Sequence, residues 1–464
     1  MLMSPSRRTT LRSAEQWAVS RTRAISPEAG DAILYAVGAI FAQVTIVSSN
    51  EALYRQWAEL AIGPFILGAL AAAVLAVVAR RRTRAAVPGP APADRTFRQA
   101  WSGRIAIALC VFIGATAIPL GLEILWRSDG DPGSHAQPEV TDIERAGQAL
   151  AKGKDPYHEV TNRHLKVVYH QRGLSTVDTF NPYLPFMDAF GIPSERHHDV
   201  GLTDARIFFS LVTLLVTGTA LWLVAADGRR KMRALQVLAI LPTAALPLAT
   251  GGDDMPVVAF LLLAMVLAQR RQPIAAGVVL GIVSAMKFTA WPLAGLALFA
   301  AYNRRGARRP DLMFLGMLVV AGPVVVSFAL RGPWAFFDNV VLFPLGLSGV
   351  NSPAASPLPG HLLVSAFPFL HRALPLTVGL LGGALLLWYL YRRPPQSASQ
   401  VCRVGGVVMS VITLLAPATR IGYLLYPINF FVWSYLFADA EGQQRLLPAG
   451  GSSGQSRQLI GAPS

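Results

Sequence analysis

The sequence predicts an all-α integral membrane protein, a polytopic bundle of about 12 transmembrane helices with a large outer loop that carries short helices. Three observations predict it. Of 464 residues, 53% are hydrophobic and only 14% are charged, with a mean hydropathy of +0.44. The apolar residues are gathered into long runs. Basic clusters recur after every second run, as the positive-inside rule requires of a chain that crosses repeatedly. Two cysteines, Cys110 and Cys402, are too few for a disulfide framework.

The expected spans are 31–49, 58–79, 105–126, 205–226, 232–250, 255–269, 273–286, 288–303, 311–330, 373–391, 404–418 and 420–437. Several fall short of the roughly 20 residues of a full crossing, and short spans often surround a cavity. The first run begins late and contains Asp31 and Gln43, so it reads as a retained span and not a cleaved signal. Arg7, Arg8, Arg12, Arg21 and Arg23 precede it. "RRRTR" (80–84), "GRRKMR" (228–233), Arg270 with Arg271, "RRGARR" (304–309), and Arg392, Arg393 and Arg403 follow alternate spans. All are assigned to the cytoplasm, as are both termini. The net charge of +15 is then a topology signal and excludes a nucleic-acid partner. Residues 1–30 form a basic cytoplasmic N-terminus, 31–104 a two-span hairpin and linker, 105–437 the main membrane domain, and 438–464 a disordered cytoplasmic tail.

This topology places residues 127–204 outside as one large loop. Also outside are "TGGDDM" (250–255), the Met286–Lys287 turn, the loop 331–372 and "APATR" (416–420). Lys287 interrupts an apolar stretch, and a charge at a bilayer centre costs about 2.5–3.5 kcal/mol. At a turn it escapes that cost. A snorkelling helix-end lysine is the plain reading. Its company gives a second: Asp253 and Asp254 open one span and Arg420 opens another. Ionisable groups at membrane helix ends are candidates for function. "PWAFFDNVVLF" (333–343) is apolar enough for a short helix along the membrane surface.

Within the large loop, Thr141 and Glu144 have capping-box spacing and predict a helix from 142, with Asp142 in its first turn. Gly153 and Pro156 end it near Lys152. "DTFNPYLPFMDAFGIP" (178–193) predicts a rigid, partly buried segment.

An acid, a short helix, "GKDPY" (153–157), and then "NPYLP" (181–185) before the next span resemble the polyprenyl-phosphate-dependent glycosyltransferases of GT-C type, family 87. "GGDD" (251–254), "GIVSAMKFTAWPL" (281–293) and "PATRIGYLLYP" (417–427) are similar to that superfamily too. The resemblance runs from about 105 to 437. It differs in placing the acidic loop after the third span, so the first two spans read as an added hairpin.

The resemblance implies a GT-C-like enzyme of the plasma membrane with its active site on the outer face. It would move a hexose, commonly mannose, from a polyprenyl-phosphate donor to a lipid or glycan acceptor. Asp142 matches the catalytic base, and Lys287 and Arg420 match positions facing the donor phosphate. The residue chemistry agrees: displacement at an anomeric carbon needs a base and cations for the departing phosphate. Tyr157, Tyr183 and Tyr423 are candidates for sugar contact, with interface anchoring as the alternative. Asp253 and Asp254 are candidates for acceptor hydroxyls, for capping, or with His197 and His198 for a metal. No cofactor is expected. A transporter of a lipid-linked or anionic solute is the rival reading. It fits twelve spans, but the sequence lacks repeated halves and gathers its ionisable groups at one edge. A non-catalytic scaffold is the third.

Overall fold

The structure is a computed structural model that describes residues 25–85, 93–130, 134–157, 180–195, 201–303, 309–344, 348, 354 and 356–446. His158, His164, His170, His197, His198 and the C-terminal residues 447–464 therefore lie outside the described residues. Every regular element among the described residues is helical. In chain order these are α1 Pro27–Ser48, α2 Ala52–Ala85, α3 Ala93–Phe112, α4 Ile118–Asp129, α5 Pro138–Ala151, α6 Pro185–Asp188, α7 Ala205–Leu223, α8 Gly228–Leu235 and α9 Pro242–Thr250. There follow α10 Asp254–Gln269, α11 Pro273–Ser284, α12 Trp291–Asn303, α13 Pro310–Arg331, α14 Pro333–Phe337, α15 Pro359–Ala366, α16 Leu370–Arg392, α17 Ala398–Leu415 and α18 Leu425–Leu446.

Each expected span meets a helix. Among the described residues, nine helical stretches are long and apolar enough to cross a membrane: 27–48, 52–81, 101–129, 205–223, 228–250, 310–331, 370–392, 398–415 and 421–441. The other three expected spans are the shorter helices α10, α11 and α12. This is a multi-pass membrane bundle. Two details correct the sequence reading. The helix bearing Asp142 begins at Pro138, so Thr141 lies inside it and donates its hydroxyl to the Pro138 carbonyl; no capping box forms. Proline is preorganised for a first helical turn, and that pulls the start upstream. Helix α18 runs to Leu446, so residues 438–446 are helical where a disordered tail was expected.

Burial separates lipid-facing helices from central ones. Helices α13 and α16 leave large apolar side chains exposed, including Leu318, Val319, Leu380 and Leu381, as suits a surface bathed in acyl chains. Helix α10 instead buries residues almost all round its circumference, from Met255 to Gln269. A helix apolar on every face belongs in the middle of a bundle.

The chain divides into two compact units, neither contiguous in sequence. The first comprises 1–141, 196–207 and 238–253. In it α1 and α2 pack on each other, and Asp31 accepts two hydrogen bonds from Arg104 of α3, at 2.6 and 3.2 Å, with both side chains buried. A π-turn at Ile113–Ala117 joins α3 to α4. The Trp57 indole N–H reaches the Ala115 carbonyl there at 3.0 Å. The second unit comprises 142–195, 208–237 and 254–464.

Candidate functional site

Helix α11 stops at Ser284, and a tight turn through Ala285 and Met286 delivers Lys287 to the start of a 3-10 turn, Phe288–Ala290, that leads into α12. The Lys287 ammonium lies 2.8 Å from Asp254 Oδ1, at the first residue of α10. Both side chains are mostly enclosed, 13% and 14% exposed. An enclosed charge requires a partner, and these two supply each other. The Tyr426 hydroxyl donates to the same Asp254 oxygen at 2.5 Å and shares a short hydrogen bond with the Thr289 hydroxyl. The rings of Tyr183 and Tyr423 stand 5.5 and 5.8 Å from the ammonium, within cation–π range. The sequence candidates Lys287, Asp254, Tyr183 and Tyr423 thus meet in one cluster.

Tyr183 is held there by its own segment. The Leu184 N–H donates to the Met286 carbonyl and the Phe186 N–H to the Ala285 carbonyl, at 3.0 and 2.9 Å, so "NPYLPF" is laced to the turn that bears Lys287. On its other side, Asn181 accepts from the Tyr183 N–H, donates its amide to Asp188, and donates its backbone N–H to Asn339. Phe180 stacks on Phe343 with centroids 4.4 Å apart. The surface-helix stretch 333–343 therefore packs on the loop, while Trp334 stays 70% exposed. Tyr157 is wholly buried and gives its hydroxyl to the Tyr183 carbonyl at 2.9 Å, which makes it a strut beneath Tyr183. Burial, with the charges of Asp188 and Asp155, pushes its phenol well above the usual range. Burial also pushes the Asp188 carboxyl up, from 3.8 to about 7, against the Asn181 hydrogen bond and with help from Asp155.

Asp142 sits on α5, its side chain 13% exposed and 2.9 Å from Arg145. That helix ends where Gly153, at φ +69°, turns the chain, with Gly153 N–H bonded to Leu150 and Lys154 N–H to Ala149. This is the glycine-terminated helix end that the sequence predicts. Helix α5 rests backbone-on-backbone against the 3-10 segment Ala189–Glu195: a β-carbon on Gly191 would stand 2.0 Å from the Ile143 carbonyl oxygen. Ser194 reinforces the contact by accepting from Gln148. One continuous scaffold therefore links residues 142–151 of the Asp142 helix, the segment 181–195 and the Lys287 turn, all within the second unit.

Arg420 precedes the 3-10 turn Ile421–Leu424 that leads into α18, and its carbonyl accepts from the Tyr423 N–H at 3.0 Å. Asp253 is buried and belongs to the first unit, whereas Asp254 belongs to the second. Gly251, at φ +107°, closes α9 just before this pair. No group of three or more His, Cys, Asp and Glu side chains could hold a metal ion among the described residues.

Two features escaped sequence reasoning. Thr289 and Tyr426 complete the Asp254 cluster; both stand in quoted motifs, but only folding brings α10 and α18 together. The first unit contains a buried ionic knot in which Asp204 pairs with Arg127 and Arg206, each at 2.8 Å. Arg206 also donates to the His135 and Ala249 carbonyls, and His135 Nδ1 lies 3.0 Å from Glu123. Burial pushes the Asp204 carboxyl up, but the hydrogen bonds and charges of Arg206 and Arg127 outweigh it and hold it below the usual value. Acid–base spacing along the chain gives no hint of a knot that joins residues so far apart.

No curated protein and no solved structure matches the chain. A family model does: residues 189–417 match Glycosyltransferase family 87. The matched stretch contains Asp253, Asp254, Lys287 and Thr289, while Asp142, Arg420 and the tyrosines 157, 183, 423 and 426 flank it. That stretch carries the family which the motifs resemble, and the chain is a polytopic membrane glycosyltransferase.

Proposed function

We propose that this enzyme moves a hexose, mannose on the resemblance, from a polyprenyl-phosphate donor to a hydroxyl of a lipid or glycan acceptor, at the outer face of the plasma membrane. The observation that carries the reading is the Lys287–Asp254 pair, flanked by tyrosine rings at the ends of short apolar helices. A polyprenyl donor keeps its tail among lipid-facing helices and presents a phosphate and a sugar at the membrane edge. A cation for the phosphate, aromatic rings and a carboxylate are what such a headgroup requires.

In the step itself the acceptor oxygen attacks the anomeric carbon and its proton passes to Asp142. The bond from that carbon to the phosphate oxygen breaks on the opposite side, with inversion, and its electron pair leaves with the phosphate. Lys287 and Arg420 stabilise the charge gathering there, the kind of electrostatic assistance that is often the largest part of catalysis. Arg145 orients the Asp142 carboxylate. Tyr183, Tyr423 and Asp254 face the headgroup, Tyr157 supports Tyr183, and Asp253 closes the loop before α10. No metal or other cofactor takes part. Both termini lie in the cytoplasm.

The test uses the purified protein in lipid nanodiscs, a panel of polyprenyl-phosphate sugars, and membrane extract as acceptor source. Loss of sugar from the lipid is followed for wild type, Asp142→Asn and Lys287→Ala, with and without EDTA. General-base loss predicts a fall of about 10²–10⁴-fold in Asp142→Asn. Lys287→Ala is expected to weaken donor binding at least tenfold, about 1.4 kcal/mol. Unchanged turnover in a folded Asp142→Asn protein would remove the base assignment. In sealed proteoliposomes, lipid crossing the bilayer without sugar loss would favour the transporter.

A further inference from the structure

Asp254 has two oxygens, and the structure treats them differently. Oδ1 receives the Lys287 ammonium and the Tyr426 hydroxyl. Oδ2 has no hydrogen-bond partner among the described residues, and the side chain keeps 14% of its surface open. The donors around Oδ1 are themselves ordered. Because Tyr426 spends its one proton on Asp254, the Thr289 hydroxyl must donate to Tyr426. Tyr426 is fully buried and packs its ring against Phe430, and Thr289 is held in the 3-10 turn next to Lys287. The chain Thr289 → Tyr426 → Asp254 therefore fixes the carboxylate from behind. A pinned carboxylate with one open oxygen, next to two tyrosine rings, is suited to accept from a hydroxyl on a saturated ring.

We propose that Oδ2 of Asp254 accepts a hydroxyl of the donor's hexose, and that Tyr426, backed by Thr289, is the positioning residue that aims it. The inference rests on the functional reading above and adds a division of labour: Lys287 takes the phosphate and Asp254 takes the sugar. A polar group placed for a specific hydroxyl discriminates strongly against a ligand that lacks it, because it is then left unpaired.

Binding of two lipids to the full chain in nanodiscs, without acceptor, tests this. One is the polyprenyl-phosphate hexose that the wild type consumes; the other is the same polyprenyl phosphate without sugar. Tyr426→Phe is expected to weaken the sugar-bearing lipid at least tenfold and to change the sugar-free lipid less than twofold. Thr289→Val should shift in the same direction by about threefold, since it removes only the backing bond. Thr289→Ser, which restores the hydroxyl, should bind as wild type, and these two variants decide the matter where Tyr426→Phe fails to fold. Equal weakening of both lipids would mean general damage to the site and overturn the proposal, as would no change in either. Wild-type protein that binds both lipids equally would overturn the hydroxyl anchor and leave the phosphate reading intact. Wild-type protein that binds neither would overturn both.

Discussion

Replacing Gly191 by alanine tests whether the Asp142 helix and the Lys287 turn act through one scaffold. The new β-carbon would stand 2.0 Å from the Ile143 carbonyl oxygen, 2.6 Å from its carbon and 2.7 Å from the Glu144 α-carbon. Close carbon–oxygen contacts in proteins settle at about 3.3–3.6 Å. The shortfall is therefore more than about 1 Å, and the opposing atoms are backbone, with no rotamer to give way. Helix α5 must lift off the segment 189–195, or that segment must retreat toward the turn it is laced to. Overpacking of this kind costs about 1–3 kcal/mol in stability. Its catalytic effect should be larger, because a 1 Å misplacement of a reacting group costs on the order of 10²-fold in rate. Sugar loss from the polyprenyl-phosphate donor in nanodiscs, with thermal unfolding alongside, reads both. The expected result is a folded protein with turnover down about 100-fold and donor binding near wild type, since Lys287 and Asp254 remain paired. Gly147→Ala should do the same from the facing side, where its β-carbon would stand 2.1 Å from the Gly191 carbonyl carbon. Wild-type turnover in folded Gly191→Ala would refute the scaffold.

Asp188 gives a pH prediction. Its carboxyl is raised from 3.8 to about 7, so between those values the folded chain binds a proton that the unfolded chain lacks. The stability this confers is complete below about pH 3.8 and is lost as pH rises through about 7. At 1.36 kcal/mol per unit the swing is at most on the order of 4 kcal/mol. Asp188→Asn keeps an acceptor for Asn181 and should flatten the Asp188 part of this slope; unfolding midpoints measured from pH 4 to 8 should show it, and an unchanged slope would count against the assignment. In the ionic knot, Arg206→Met strands the buried Asp204 carboxylate beside Arg127 alone. Breaking such a buried pair costs about 3–5 kcal/mol, and a drop in thermal midpoint of under one degree would contradict the knot's structural weight.

The helices were legible because apolar runs and arginine clusters are local signals. A lipid-facing helix such as α16 must be apolar along its length, and its basic end marks its side of the membrane in the linear sequence. The helix end at Gly153 was legible for the same reason: a left-handed residue favours glycine wherever it occurs. The start of α5 was misread because Thr141 and Glu144 satisfy a capping pattern that Pro138 pre-empts one turn earlier. Arg420 was a candidate because charge is rare in apolar sequence, and Lys287 stood out for the same reason. Thr289 and Tyr426 did not, because a hydroxyl beside a membrane helix is ordinary until a carboxylate from another helix meets it. Asp188 was invisible for a related reason. It looks like a solvated loop acid, and only its complete burial makes its protonation unusual.

The short helices α10, α11 and α12 then acquire a common explanation. A full-length span would carry its ends to the membrane surface, where water competes for every charge. Helix α10 has 16 residues, α11 has 12 and α12 has 13. At 1.5 Å per residue these are roughly 18–24 Å long, less than the hydrocarbon thickness of about 30 Å. Helices of that length need not reach the surface at both ends, and polar groups at an end within the hydrocarbon need partners from protein or substrate. Asp254 opens α10, and Lys287 and Thr289 lie in the turn between α11 and α12. Asp254 Oδ1 receives both Lys287 and Tyr426, Thr289 bonds to Tyr426, and Asp254 Oδ2 has no hydrogen-bond partner among the described residues. On the proposed function, short helices place a charged site within reach of a lipid-borne headgroup while its neighbours stay apolar. Lengthening α11 by one turn should separate Lys287 from Asp254 and abolish donor binding even though no site residue is replaced.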